Sequence, residues 1–121
     1  MCILTVAANA HPDYPLVIAH NRDEYFARTA APLAMRGDIL CATDAASGGT
    51  WMGLNVRSGA VAALTNVRCA PRAGSRSRGE LVLRVLRGDK AAAASDEYAN
   101  YNLLHAVLTA DGPVDLSLST W

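Results

Sequence analysis

Cys2 is the residue of this chain whose type and position best suit a nucleophile. Initiator methionine is commonly removed when the second residue is small. Removal of Met1 would leave one residue carrying both a thiol and an α-amine. A free thiol titrates near ~8.5 and an α-amine near ~7.7–8.0. The amine could then act as local base for the thiol, the pairing that N-terminal nucleophiles use. The plain alternative is an inert, packed cysteine. Asn21-Arg22-Asp23-Glu24 supplies the context: four consecutive polar residues end an apolar run. Cys2 and Asp23 lie nearly symmetrically about a turn at 11–13. Asp23 could hold the ammonium or orient the amine, and Arg22 could favour the thiolate or hold a substrate anion. An ordinary Arg–Asp pair at an exposed strand end is the competing reading. Asn66, in Leu64-Thr65-Asn66, offers an amide donor to a developing oxyanion, or simply forms a turn. Gly48-Gly49 permit close backbone approach, and Trp51 either packs in the core or meets a ligand. The candidate catalytic set is Cys2, Asp23 and Asn66. The candidate substrate-binding set is Asn21, Arg22, Trp51 and Arg68.

These residues need elements to position them. Cys2 to Asn9 is apolar at nearly every position and reads as a strand buried on both faces. A turn rich in Pro and Asp leads to a second strand from Leu16 to His20, giving a hairpin whose open end gathers Cys2 and Asp23. Glycine-bearing loops are expected up to about Gly49. Trp51 to Val56 and Gly59 to Val67 read as a second hairpin. Ser77 and Glu80 have capping-box spacing ahead of an apolar stripe at Leu81, Val82, Val85 and Leu86, and Gly88 stops that helix. Asp89 can cap a second helix running through the alanines to about Asn100. Two strands, Tyr101 to Thr109 and Val114 to Trp121, close the chain. Segregated strand and helix blocks favour an α+β fold with a layered sandwich.

The totals set bounds. With 121 residues the chain is one domain, 1–121, with a modest core. Lys and Arg number 11, as do Asp and Glu, so no broad field recruits nucleic acid or membrane. Arg68, Arg72, Arg76, Arg78, Arg84 and Arg87 nevertheless crowd one stretch, either a solvated face or an anion-binding rim. No apolar run reaches the ~18 residues of a membrane span, and no signal peptide is evident. Cys41 and Cys69 have no spacing partner and read as packing. His11, His20 and His105 are too scattered for a triad or a metal site. Reduced thiols and a cytoplasmic setting fit three unpaired cysteines.

Met1-Cys2, Asn21-Arg22-Asp23-Glu24, Gly48-Gly49-Thr50-Trp51-Met52-Gly53, Leu64-Thr65-Asn66-Val67-Arg68 and Ser77-Arg78-Gly79 together resemble, in order and spacing, the NRDE proteins, a family also called transport and Golgi organization 2. The likeness runs from Met1 to about Leu86. That family in turn resembles the Cys-type N-terminal-nucleophile hydrolases, which cleave or transfer amides on a four-layer αββα sandwich. The resemblance implies Cys2 as nucleophile, Asp23 at its amine and Asn66 in an oxyanion hole. It also implies a longer chain, so that these residues form the N-terminal half of an incomplete sandwich with an exposed sheet open to homodimerisation. Where relatives carry an Ala-Gly-Arg-Asp-like run, this chain has Cys41-Ala42-Thr43-Asp44. The resemblance raises two functions as expectations. One is an amide hydrolase or acyltransferase needing no cofactor and acting on a small molecule. The other is a non-catalytic binding or trafficking protein for haem or lipid; a third reading is an inactive fragment.

Overall fold

The computed structural model describes residues 2–68, 75–110, 112 and 114–121. Two strands, β1 (Ile3–Ala8) and β2 (Leu16–Asn21), form an antiparallel hairpin. Six more form a single antiparallel meander in sequence order: β3 (Ala30–Arg36), β4 (Ile39–Asp44), β5 (Met52–Asn55), β6 (Ala60–Asn66), β7 (Tyr101–Val107) and β8 (Asp115–Thr120). One α-helix, α1 (Arg78–Leu86), and a short 3₁₀ turn (Lys90–Ala94) interrupt the meander between β6 and β7. The fold is thus mostly β-sheet with one helix, an α+β arrangement.

α1 covers one face of the large sheet. Leu81, Val82, Val85 and Leu86 are its predicted stripe, and all pack into a core with Ile39, Cys41, Ala62, Leu64, Tyr101 and Leu103. The alanines of β6 let the helix approach closely. Gly88, at φ +96, takes the left-handed conformation that ends it. The hairpin covers the opposite face: Ala8, Leu16 and Ile18 meet Val61, Ala106 and Val114. Asn9 pins the hairpin turn, accepting from the Val114 N–H at 2.8 Å and donating to the Val114 carbonyl at 3.1 Å.

Four expectations change. β1 is not buried on both faces; it alternates exposed and half-buried, because it pairs only with β2 and its outer face is uncovered. The stretch read as loops to Gly49 contains β3 and β4. Ser77 makes no side-chain cap: the Glu80 N–H donates to the Ser77 carbonyl instead, and the Glu80 carboxylate turns to Arg76. Asp89 does cap, accepting from the Ala92 N–H at 3.2 Å, but it caps a five-residue 3₁₀ turn and not a helix to Asn100.

Candidate functional site

The hairpin register pairs Ile3 with Asn21 and Leu4 with His20. Continued by one residue, it sets Cys2 opposite Arg22, not Asp23. Side chains alternate across a strand. Leu4, Val6, His20 and Arg22 therefore face the large sheet, while Ile3, Thr5, Ala19 and Asn21 face outward. Asn21 is thereby removed from the group it was expected to join.

At the same end of the molecule lie the last residue of β4 (Asp44), the approach to β5 (Trp51), the last residue of β6 (Asn66) and the start of α1. Together they line a cleft of about 100 Å³. Its walls include Cys2, Arg22, Asp23, Asn66, Trp51 and Arg78. Of the candidates read from the sequence, five meet here: Cys2, Asp23, Asn66, Arg22 and Trp51. Arg68 is exposed and outside the lining, as is Asn21. Cys2 is a free, half-buried thiol.

Two glycines explain why α1 begins at this cleft. A Cβ on Gly49 would lie 2.6 Å from the Gly79 carbonyl carbon, and one on Gly79 would lie 3.0 Å from the Gly49 Cα. Only two bare backbones can touch this closely. The Thr50 N–H donates to the Gly79 carbonyl at 3.2 Å, so the loop before β5 holds the helix start. The Gly-Gly-Thr-Trp and Ser-Arg-Gly motifs are the two sides of one contact.

The electrostatic centre is Asp44, a residue that the sequence pattern leaves in a loop. It is 6% exposed. Arg22 donates to it at 2.5 Å and Arg28 at 2.9 Å. The Ser47 N–H donates at 2.9 Å and its hydroxyl at 3.1 Å. Burial pushes the Asp44 carboxyl up, but the Ser47 N–H, Arg28, the Ser47 hydroxyl and Arg22 outweigh it and hold it at about 2. The Arg22 guanidinium also sits 4.9 Å from the Trp51 ring centroid, a cation–π contact. Trp51 is thus half-buried cleft wall and not core. Asp23, Glu24 and Asp44 balance Arg22, Arg28 and Arg78 in the lining, so the cleft has no dominant sign of charge.

Two of the six crowded arginines are neutralised by carboxylates. Arg76 pairs with Glu80 and Glu97, and Arg84 with Asp89 and Glu97. Arg78 reaches the cleft while donating to the Asn100 carbonyl at 2.9 Å. Arg72 and Cys69 lie outside the described residues. Cys41 is fully buried, as a packing cysteine should be. No group of three or more His, Cys, Asp or Glu among the described residues could hold a metal ion. No helix among them is long and apolar enough to cross a membrane.

Known proteins supply the family. The family model for Transport and Golgi organisation 2 matches residues 1–116. The chain is 35% identical over 131 residues to the Transport and Golgi organization protein 2 homolog of Bos taurus, covering 92% of this chain and 47% of that protein. It is 35% identical over 135 residues to the Homo sapiens homolog, covering 94% and 48%. The Mus musculus homolog is 32% identical over 128 residues, covering 90% and 46%. The chain spans about half the length of these curated relatives. By the match along nearly its whole length and by the motifs that build its cleft, the chain belongs to the Transport and Golgi organisation 2 family.

Proposed function

We propose that this chain carries an N-terminal-nucleophile centre, in which Cys2 acts on the carbonyl of a non-peptide amide once Met1 is removed. The supporting observation is that Cys2, Asp23 and Asn66 line one cleft although they come from three different strand ends. In the first step the α-amine takes the thiol proton and the thiolate sulfur attacks the carbonyl carbon. Asn66 donates to the oxyanion, and Asp23 holds the amine in place. Collapse of the intermediate breaks the C–N bond. The proton passes to the leaving nitrogen, and an acyl thioester remains. Water then releases the acid, or an acceptor amine takes the acyl group, and the thiol is restored. The 121 residues read as one domain of this type, its helix, large sheet and hairpin being three layers of an αββα sandwich. The test is intact mass after incubation with a panel of N-acyl amides. Loss of Met1 and an acyl mass gain on Cys2, absent in Cys2→Ala, support the reading. A retained Met1 excludes it.

A second reading has its own support. Tyr25 and Phe26 directly follow the cleft residues Asp23 and Glu24, and they are 83% and 106% exposed. Such an apolar margin suits a non-catalytic carrier, in keeping with relatives named for transport and Golgi organization. Lipid fits this margin better than haem does. Haem needs an axial ligand from the protein, and Cys2 is the one thiol or imidazole among the cleft's described lining residues. Titration with haem, followed by its absorption band, and with a fluorescent fatty acid separates the two ligands.

A further inference from the structure

We infer that Asp44 is the positioning residue of this site, acting on Cys2 through Arg22. The inference rests on the nucleophile reading above. It starts from how Arg22 is held. Arg22 stands at the end of β2, in the hairpin layer, across from Cys2. Asp44 stands at the end of β4, in the other sheet. Their 2.5 Å ion pair ties the two layers together at the mouth of the cleft.

Asp44 is itself held by its own turn. The Ala46 N–H and the Ser47 N–H both donate to Oδ1, at 3.1 and 2.9 Å, in the turn after β4. Oδ2 is left to Arg22 and the Arg28 Nε. A carboxylate fixed by backbone donors and presented to a guanidinium gives a charge-assisted bond of defined direction. Trp51 closes the other side of the same guanidinium. Arg22 is thus held from the other sheet by Asp44, beside a longer bond of its own to the Arg28 carbonyl at 3.5 Å. Without Asp44 the guanidinium would lose that fix within the cleft that Cys2 also lines.

The experiment is the rate of iodoacetamide alkylation at Cys2, read by peptide mass spectrometry on the full chain. Asp44→Asn, Arg22→Gln and the double variant are compared with the parent. Asp44→Asn and Arg22→Gln should each slow alkylation, by an amount in the roughly 2- to 100-fold range of contacting pairs. The double variant should be no slower than Arg22→Gln alone. Tyr101→Phe, which removes only a hydroxyl bond to the Ala93 carbonyl on the helix side of the sheet, serves as a destabilised control and should leave the Cys2 rate unchanged. If Asp44→Asn does not fold, Asp44→Glu keeps the charge, moves it by one methylene and reads the same coupling. Multiplicative slowing in the double variant would overturn the inference, as would an Asp44 effect matched by Tyr101→Phe. A parent rate no faster than that of the urea-denatured chain would instead sink the nucleophile reading.

Discussion

Asp44 accepts from two arginines and from two N–H groups of its own turn, yet nothing in its sequence neighbourhood announces it. Cys41-Ala42-Thr43-Asp44 carries neither a strong alternation nor a turn signal. The residue acquires meaning only when β4 ends where β2 ends. That Cys2, Asp23 and Asn66 share one cleft is legible in the sequence because each is attached to a motif whose residue types suggest a chemical role. The symmetric count about 11–13 pairs Cys2 with Asp23, one residue past Arg22, its partner in the register, and Asn21, one step before Arg22, faces outward. Arg22 gains the place across from Cys2 by the same step. Asp44 also sets an acid limit on stability. Its pKa is about 2 in the fold against 3.8 ordinarily. Its contribution is fully present above pH 3.8 and is lost as pH falls through the folded value. The shift corresponds to about 2 kcal/mol. Urea unfolding at pH 5 and at pH 2 should show that loss in the parent and a smaller one in Asp44→Asn.

The strands and α1 were legible where burial imposes a period, and illegible where it does not. β3 is exposed at every residue and carries Pro32 at a register shift, so no alternation betrays it. The alanines after Asp89 have helix propensity, but the chain there must turn back so that Tyr98 and Tyr101 reach the core, and five residues of 3₁₀ suffice. The contact between Gly49 and Gly79 belongs to this scale, since it joins a loop to a helix start. Gly79→Ala should destabilise the fold by about 1–3 kcal/mol, as overpacking does, and should free Ser77 and Arg78 from the cleft. Urea unfolding together with amide exchange at Thr50 would show both. The hairpin offers a second test. His20 faces the large sheet with neither ring nitrogen hydrogen-bonded, and burial lowers its pKa from 6.5. The neutral form is therefore the one the fold accepts. Its contribution is complete above pH 6.5 and falls away as pH drops toward the lowered value. His20→Leu should flatten the stability profile below pH 6.5, and an unchanged slope would show that the imidazole is hydrated in solution.

For the whole molecule the question is what the outer face of the hairpin meets. α1 and the hairpin each cover one face of the large sheet, but nothing among the described residues covers the hairpin itself. Ile3 and Val17 are 56% and 48% exposed there, beside Ala7 and Ala19. β1 and β2 each also present an unpaired edge. Exposed edges and apolar faces together promote association. Each hundred Å² of apolar surface left in water forgoes roughly 2.5 kcal/mol, a substantial share of a net stability of ~5–15 kcal/mol. For these 121 residues by themselves we therefore propose that two copies pair through this face, which the fourth layer of the proposed sandwich would otherwise cover. Val17→Lys places a charge at the middle of that face without touching the cleft or the core. Sedimentation velocity across a concentration series should show association in the parent and a shift toward monomer in Val17→Lys. Because Val17 points away from the large sheet, the urea midpoint of the variant monomer should change by no more than about 0.5 kcal/mol equivalent. A parent that stays monomeric at every concentration would mean that the hairpin tolerates its bare face, and the pairing would have to be abandoned.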